Sequence, residues 1–271
     1  MKISKPKIVV FANEVVSLHI LKKLNKSKIK IHTVFTSSLQ RKKYISDWAD
    51  LKNYKSAIGC NNIFRIENPN SQFVTNKLKS ISPDYILSLS WSQILSKKVL
   101  DSASKGTISF HYSKLPKRRG GAPLFWALND GLKKLGVTIF YLTPGIDDGD
   151  IINQIEIPIS KNDHTRDLLN KIYLKLPDFF CAQFKKVILN KNKRIRQDNS
   201  KATYTKSRKP SEGLINFNNN FKKLNRFVRA LSKPYPGAFF YAIDSKGNKK
   251  KFIIEDYINE KDQKIFQGYL K

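Results

Sequence analysis

The sequence predicts an α/β protein with an open, mostly parallel sheet and a small α+β domain at its C-terminus. Residues 7–12 form an apolar strand of the buried type, residues 15–24 have helical spacing, and residues 29–36 form a second strand. This β-α-β order implies parallel strands joined by a right-handed crossover. Strand and helix patterns continue to residue 189, and one helix and two strands follow further on. A chain of 271 residues has room for one large domain and a smaller appendage.

The remaining elements follow from the same patterns. In the N-terminal domain we predict a strand at 61–65, a helix at 71–80, a strand at 85–88, a strand ending at His111, a helix at 123–131, strands at 133–142 and 151–159, and a helix at 163–189. Pro177 should kink or divide the last helix. Residues 191–201 are basic and polar, which predicts a linker between domains 1–190 and 202–271. The second domain should hold a helix at 221–231 and strands at 238–243 and 251–257.

The composition limits the class of protein. The chain has 51 Lys and Arg against 21 Asp and Glu, a formal net charge of +30. This field attracts nucleic acid, nucleotide-linked substrates, polyglutamylated cofactors and anionic membranes alike. The excess is mostly lysine spread along the chain, so the charge alone identifies no partner. Cys60 and Cys181 are too few for a disulfide framework and lack metal-ligand spacing, so we expect no metal site.

Apolar runs in the sequence are short. None reaches the ~18 residues that a membrane-spanning helix requires, and the basic N-terminus precedes only a short strand. We therefore expect a soluble, cytoplasmic protein with no membrane partner. The turn after the first strand, residues 11–14, lacks the glycine fingerprint of a dinucleotide-binding loop, which argues against a nicotinamide or flavin cofactor.

Two stretches carry the candidate chemistry. His111 follows a short apolar run and precedes a loop rich in proline, glycine and positive charge. A histidine where a strand ends can present its ring to a cleft, although a satisfied structural histidine fits the same position. Residues 136–150 form an alternating strand that runs into a turn with three carboxylates. A histidine and a carboxylate at the ends of two strands suggest a general acid/base pair.

Four motifs occur in order along this region. S-F-H at 109–111 ends a strand, S-K-L-P at 113–116 and R-G-G-A-P at 119–123 follow it, and G-I-D-D-G-D at 145–150 ends a later strand. Their order and spacing resemble the folate-dependent formyltransferase family, strongly over residues 85–155 and more weakly over the β-α-β opening. The resemblance implies a Rossmann-like sheet, the formyltransferase fold, and 10-formyltetrahydrofolate as the formyl donor.

The distal half resembles one branch of that family, the sugar N-formyltransferases. The similar stretches are residues 202–205, 213–217 and 228–239. Members of this branch formylate an amino group on a nucleotide-linked deoxysugar destined for surface polysaccharide such as O-antigen. Methionyl-tRNA formyltransferase shares part of the pattern but is similar over a longer C-terminal barrel. The resemblance therefore favours a nucleotide-linked amino sugar, with dTDP as the expected nucleotide, and leaves methionyl-tRNA formyltransferase as the alternative.

The resemblance also implies a mechanism. An uncharged amine attacks the formyl carbon and forms a tetrahedral intermediate with a negative oxygen. A protonated His111 would stabilise that oxygen, and Asp147 would favour the protonated imidazole and help to relay the proton of the amine. Binding the two substrates side by side should supply much of the remaining barrier reduction.

One position departs from the family pattern. Where the family has a catalytic asparagine two residues before the histidine, this chain has Ser109. A serine hydroxyl is shorter than an amide and rotates freely, and losing one oxyanion donor typically costs roughly 2.7–4 kcal/mol. We expect Ser109 either to donate through a water molecule or to leave a slow enzyme.

The resemblance assigns donor-binding residues by position. Family members grip the pterin mainly through backbone groups of two loops, which here hold Ser92, Gln93, Ile94 and Leu95, and Leu142, Thr143, Pro144, Gly145 and Ile146. Backbone recognition tolerates varied side chains, so no pterin motif is expected in the sequence. Ile94 and Leu95 suit ordinary core packing equally well.

Candidates for the sugar nucleotide come from residue type. Tyr204, Lys206 and Arg208 place an aromatic side chain among cations, as a base-and-diphosphate site would, and Arg119 lies in a basic run beside the predicted site. A solvated linker and a solubilising loop would show the same pattern.

The expected partners are therefore a nucleotide sugar and a second copy of the chain. The family expectation is a homodimer formed through the C-terminal segment, where Phe239, Phe240 and Tyr241 would supply apolar surface. A second functional class is a basic RNA-binding relative whose chemistry is weakened by Ser109. The sequence shows no nucleic-acid-binding motif, so we expect no nucleic-acid partner.

Overall fold

The computed structural model describes residues 5–243, 247–255 and 258. Their strands are β1 Ile8–Ala12, β2 Thr33–Ser37, β3 Ile63–Ile66, β4 Tyr85–Leu89, β5 Thr107–His111, β6 Arg119–Gly120, β7 Lys134–Tyr141, β8 Ile151–Pro158, β9 Tyr204–Thr205, β10 Ala238–Ile243 and β11 Lys249–Ile254. Their α-helices are α1 Val15–Lys26, α2 Lys55–Ile58, α3 Gln72–Ile81, α4 Lys97–Leu100, α5 Pro123–Asn129, α6 Thr165–Ile188 and α7 Phe221–Leu231. Short 3-10 turns are Leu39–Tyr44, Leu51–Tyr54, Asn199–Lys201 and Pro210–Gly213.

Seven strands form one sheet in the order β3-β2-β1-β4-β5-β7-β8. The pairs from β3 to β5 are parallel, whereas β5 and β7 pair antiparallel, with His111 opposite Thr138. The prediction of an open, mostly parallel α/β sheet is confirmed. Because the chain leaves β1 first toward β3 and then toward β5, the strand order reverses between β1 and β4. Ligands of open α/β sheets bind at the carboxyl ends of strands flanking such a reversal.

The central strands are apolar because both of their faces are covered. Every residue of β1, β2 and β4 is buried. One core cluster joins Phe11 and Phe35 of these strands to Val74, Leu78 and Val99 from the helical segments beside them. Such continuous apolar runs are typical of parallel sheets with helices on both faces. This packing fixes the positions at which the strands end.

Two predicted elements differ from the structure. The strand expected at 29–36 begins only at Thr33, because Lys28 adopts a left-handed conformation and the Ile29 amide donates to the Leu24 carbonyl, which closes α1. Pro177 does not divide α6, which runs unbroken from Thr165 to Ile188. Buried apolar residues on both sides of the proline, including Leu176 and Phe180, anchor the helix and offset the lost backbone hydrogen bond.

The chain forms two compact units, each assembled from separate segments. The first holds residues 5–119, 136–155 and 172–203, and the second holds 120–135, 156–171 and the described residues from 204 onward. The predicted linker, 191–201, lies within the first unit, where Ile195 exchanges two backbone hydrogen bonds with Ile151. The division into domains at residues 190 and 202 stays a prediction.

The second unit contains the hairpin of β10 and β11 beside α7. The predicted helix at 221–231 is confirmed, as is the strand at 238–243, and the second strand of the hairpin is Lys249–Ile254. Residues 256 and 257 of the predicted strand at 251–257 lie outside the described residues. Phe239 is buried in this unit, and Tyr241 is 42% exposed.

Candidate active site

His111 is the last residue of β5, and both of its ring nitrogens face oxygen atoms. Its side chain is 9% exposed. Nε2 lies 2.8 Å from the carbonyl oxygen of Arg118. A carbonyl oxygen only accepts hydrogen bonds, so Nε2 carries a hydrogen and Nδ1 is left to face Asp147. The chain itself therefore sets the tautomer and the orientation of this ring.

Asp147 meets the other side of the imidazole. Its Oδ2 lies 3.5 Å from Nδ1 of His111, an ion pair whenever the ring is protonated. A protonated ring would direct one N–H at the Arg118 carbonyl and the other at this carboxylate. The arrangement therefore favours the imidazolium form and can pass a proton between ring and carboxylate.

The route by which the two residues meet differs from the sequence-based argument. That argument placed both residues at the ends of strands, but β7 runs antiparallel to β5. The amide of Leu142, which follows β7, donates to the carbonyl of Thr107 at the start of β5, 2.8 Å away. The turn at 142–150 must therefore return to reach His111. The pair depends on this turn and not on adjacent strand ends.

The turn has a constrained backbone. Asp147 adopts a left-handed conformation, with φ of 49°, which non-glycine residues rarely occupy. A Cβ at Gly149 would overlap the carbonyl oxygen of Tyr141, so only glycine fits there. The Thr143 hydroxyl donates to the Asp148 carboxylate across the turn. Specific contacts thus hold Asp147 in a conformation that its own backbone does not prefer.

Ser109 lies two residues before His111 and opposite Ser88 of β4. Its hydroxyl donates to the Ser88 carbonyl oxygen, 2.8 Å away. A serine hydroxyl has only one hydrogen, so in this rotamer Ser109 can accept from a ligand but cannot donate to one.

Arg119 lies in the interior and is 2% exposed. Its Nε and Nη2 donate to Oε1 of Gln197 at 3.1 and 2.8 Å, and Nη2 also donates to Oδ1 of Asn199 at 2.9 Å. The sequence predicted Arg119 as a contact for an anionic substrate. The structure instead turns its guanidinium toward these two amides, because a buried cation needs partners for its N–H groups.

Gln197 connects this arginine to the catalytic turn. Its Nε2 donates to the carbonyl oxygens of Asp147 and Gly149, at 2.8 and 2.7 Å. Sequence reasoning missed Gln197 because it lies in the polar stretch predicted as a linker. The only signal available was one glutamine among basic residues, which does not distinguish a buried amide from a solvated one.

The two predicted donor loops share one core cluster. Leu95, from the first loop, is buried in the cluster that contains Phe11, and Trp91 and Leu142 pack against it. The Trp91 and Phe11 rings make an edge contact with centroids 5.5 Å apart. The structure thus brings together loops that are about 50 residues apart in the sequence.

Apolar side chains stand exposed on both loops. Ile94 is 84% exposed and Ile146 is 61% exposed. The Ile94 carbonyl accepts from Nδ2 of Asn70 at 2.9 Å, and Asn70 Oδ1 accepts from the Ser96 amide at 2.8 Å, so the backbone of this loop is held in place. Exposed aliphatic side chains on fixed backbone suit a flat aromatic ligand with polar edges, as a pterin is.

The strand reversal itself carries a perturbed carboxyl group. Glu14 follows β1, and burial, reinforced by the charge of Asp47, raises its pKa to about 8, while the Ser90 hydroxyl partly offsets this shift. At neutral pH this carboxyl is mostly protonated. Among the described residues, no group of three or more His, Cys, Asp and Glu side chains is placed to hold a metal ion.

The remaining predicted substrate residues lie in the second unit. Tyr204 is 62% exposed, and Lys206 is exposed with its carbonyl accepting from Nε1 of Trp126 at 2.8 Å. The Arg208 guanidinium stacks on the Phe125 ring, 3.9 Å from its centroid, and donates to the Glu212 carbonyl. Burial lowers the pKa of Arg208. These contacts explain Arg208 as packing within its own unit.

Family models match most of the chain. The model described as formyl transferase matches residues 6–180, and the model described as formyl transferase, C-terminal domain, matches residues 208–266. The chain belongs to the formyl transferase family. Both the predicted family resemblance and the fold that it implied are therefore confirmed.

Relatives of this formyl transferase have different names. The bifunctional polymyxin resistance protein ArnA of Wigglesworthia glossinidia brevipalpis is 31% identical over 93% of the chain. A methionyl-tRNA formyltransferase of Lysinibacillus sphaericus is 37% identical over 60% of it. The chain spans 38% and 52% of the lengths of these two relatives.

Solved structures share the fold. A 4-N formyltransferase from Francisella tularensis has a TM-score of 0.72 and 23% identity, and the match covers 94% of this chain and 99% of that one. An N-formyltransferase from Helicobacter canadensis, in complex with folinic acid and dTDP-3-aminofucose, has a TM-score of 0.63 and 20% identity, covering 83% and 80%. Across the described residues, no helix is both long and apolar enough to cross a membrane.

Proposed function

We propose that this formyl transferase moves a formyl group from 10-formyltetrahydrofolate to the amino group of a nucleotide-linked amino-deoxysugar. The observation that carries the chemistry is the His111–Asp147 pair, 3.5 Å apart at the end of β5. Within the family, a buried imidazole held against a carboxylate suits formyl transfer to an amine, because that reaction needs both an oxyanion stabiliser and a proton acceptor.

The chemistry assigned to this pair is balanced. The uncharged amine nitrogen bonds to the formyl carbon, and the imidazolium of His111 stabilises the negative oxygen of the tetrahedral intermediate. Asp147 keeps the ring charged and accepts the proton that the amine loses. The bond from the formyl carbon to the folate nitrogen then breaks, and that proton neutralises the leaving nitrogen. Ser109, whose hydroxyl is held by the Ser88 carbonyl, supplies no donor in this rotamer.

The donor would lie on the two loops that share the Phe11 cluster. The predicted donor contacts are Ser92, Gln93, Ile94, Leu95, Leu142, Thr143, Pro144, Gly145 and Ile146. Exposed Ile94 and Ile146 would cover the faces of the pterin, and backbone groups would bind its polar edges. Leu95 would act from below, because it is buried in the cluster.

The acceptor assignment rests on similarity to solved proteins. The structure from Francisella tularensis is matched over nearly its whole length, and the protein from Helicobacter canadensis was solved with a dTDP-linked amino sugar. We assign dTDP as the nucleotide and a surface glycan such as O-antigen as the destination of the sugar. Tyr204 and Lys206, both exposed, are the candidates for the nucleotide contact. Arg119 and Arg208 leave this list, because their guanidinium groups are engaged within the chain.

Methionyl-tRNA formyltransferase is the second candidate function. It is favoured by the 37% identity to the Lysinibacillus sphaericus relative and by the charge of +30, which suits a polyanionic acceptor. A soluble, cytoplasmic homodimer stays our expectation for the assembly. Gel filtration with light scattering measures the dimer directly.

The experiment is an acceptor competition. The purified chain is incubated with 10-formyltetrahydrofolate and a panel of dTDP- and UDP-linked amino sugars, with Met-tRNA in a parallel reaction, and products are analysed by mass spectrometry. We expect a formylated dTDP-sugar, and none with the Asp147→Asn variant, which controls for uncatalysed transfer. Formylation of Met-tRNA alone would replace the proposal with the second candidate. No formylated product from either acceptor would refute both.

A further inference from the structure

The inference concerns how the turn that carries Asp147 is held, and it rests on the proposed function of His111 and Asp147. We propose that Gln197 is a positioning residue for the catalytic carboxylate and that Arg119 fixes the amide of Gln197 in the orientation this role requires. Neither residue is needed to touch substrate in this scheme.

The hydrogen bonds of Gln197 leave its amide only one orientation. Its Oε1 accepts two hydrogen bonds from the Arg119 guanidinium, and its Nε2 donates two, to the carbonyls of Asp147 and Gly149. A flipped amide would direct N–H groups at a cation and an oxygen at two carbonyls. Gln197 is 6% exposed, so solvent cannot compensate for a wrong orientation.

The contact acts on the backbone of the catalytic residue itself. The Asp147 carbonyl is held by Gln197 while the Asp147 carboxylate faces His111. Its left-handed φ of 49° is disfavoured, so anchors on either side must maintain it. Without Gln197, the turn would keep its chain connections but lose both hydrogen bonds to these carbonyls.

The same dipeptide holds both members of the catalytic pair. The Arg118 carbonyl accepts from Nε2 of His111, and the Arg119 side chain orients Gln197. Thr203 fixes the dipeptide in turn, because its hydroxyl accepts from the Arg118 amide at 2.9 Å and its carbonyl accepts from the Arg119 amide at 2.8 Å. A shift of this dipeptide would therefore move the imidazole and the carboxylate together.

Two variants of Gln197 separate positioning from general stability. Gln197→Met keeps the size but loses every hydrogen bond of the amide. Gln197→Glu keeps the bond to Arg119 as an ion pair but sets a carboxylate against the two carbonyls. A matched control is Asn225→Leu in the second unit, where Nδ2 donates to the Ile258 carbonyl and Oδ1 accepts from the Ile258 amide, both at 2.9 Å.

The kinetic test uses the full chain with its formylated acceptor, assayed below every variant's Tm. We expect both Gln197 variants to lose about 10- to 100-fold in kcat with KM within about twofold, because misplacing a reacting group by about 1 Å has an effect of this size. Gln197→Glu should do so while remaining more heat-stable than Gln197→Met. Asn225→Leu should lose heat stability and keep its kcat. A kcat that follows Tm across all three variants overturns the inference.

A double variant tests whether Gln197 acts through Asp147. Gln197→Met combined with Asp147→Asn should be no slower than Asp147→Asn alone, because the turn no longer carries the carboxylate that Gln197 positions. Losses that multiply in the double variant would show that Gln197 acts elsewhere and would overturn the inference.

Hydrogen exchange supplies a measurement that needs no turnover. Amides of peptides covering 143–150 should exchange faster, by about tenfold, in both Gln197 variants and at the wild-type rate in Asn225→Leu. Unchanged exchange in these peptides overturns the inference even if the enzyme is active. If the wild type formylates no acceptor, the proposed function fails, while exchange still decides whether Gln197 holds the turn.

Discussion

The pair at the end of β5 and the two donor loops are built on opposite principles. Around His111, the ring nitrogens, the Asp147 carbonyl and the Arg119 guanidinium all have partners within the chain. On the loops, Ile94 and Ile146 are left exposed over fixed backbone. A catalytic group needs its geometry before substrate arrives, whereas a binding surface gains free energy when a ligand covers it. The comparison predicts losses in kcat at the first region and in affinity at the second.

The largest effect is expected at the catalytic pair. Asp147→Asn keeps the size of the side chain but removes the charge that favours the imidazolium and accepts the proton. We expect kcat to fall by about 10²- to 10⁴-fold with the KM for the folate nearly unchanged, measured by steady-state kinetics. Asp148→Asn, the adjacent carboxylate, should lose less than about fivefold. Equal losses in both variants would mean that the turn carries charge without a specific proton acceptor.

A smaller effect is expected at the donor loops. Ile94→Ser should weaken folate binding by about 10- to 100-fold, because covering an isoleucine contributes about 1.5–3 kcal/mol. Its Tm should stay at the wild-type value, because the side chain is 84% exposed in the free protein. Titration calorimetry measures the Kd, and Ile243→Ser, at an isoleucine 73% exposed in the second unit, is the matched control. Equal Kd values for the two variants would remove this loop from the donor site.

Ser109→Asn should sharpen the description of the catalytic region. The serine proton is committed to the Ser88 carbonyl, so an amide would add an oxyanion donor that the wild type lacks. We expect kcat to rise by about tenfold, some 1.4 kcal/mol of barrier. Single-turnover kinetics measure the chemical step directly. A slower variant would show instead that the pocket is shaped around serine.

The smallest effect concerns stability at the strand reversal. The pKa of Glu14 is raised from its usual value near 4.5 to about 8 by burial and by Asp47. The folded state therefore binds this proton more tightly than the unfolded state, and its contribution is lost as pH rises from about 4.5 to 8. Glu14→Gln should abolish this loss, worth on the order of 1–3 kcal/mol at pH 8.5. Thermal unfolding of both proteins at pH 4.5 and 8.5 measures it, and an equal Tm difference at the two pH values would contradict the assignment.

Several features of the molecule could be predicted from the sequence because they are local. The helix at 221–231 and the strand at 238–243 follow from apolar periodicity, which depends on residues a few positions apart. The motifs around His111 and Asp147 indicated the two residues of the pair. The start of the second strand was missed, because closure of α1 at Lys28 depends on backbone geometry that periodicity does not report.

The roles of the cations could not be predicted in this way. Arg119 and Arg208 appeared in the sequence as ligands for an anion, yet one is buried against Gln197 and the other stacks on Phe125. An arginine side chain is long enough to reach solvent or the interior from the same backbone position. Only the partners that the fold brings within reach decide between them.

The sequence by itself determined the order of strands and helices, the family, and the identity of the histidine and carboxylate that form the pair. The tertiary structure decided how they meet, because β7 runs antiparallel to β5 and the turn must return to His111. It also decided that Gln197, from a stretch predicted as a linker, supports that turn. The physical reason is that hydrogen bonds join atoms close in space, and a buried amide 50 residues from its partner leaves no periodic pattern in the chain.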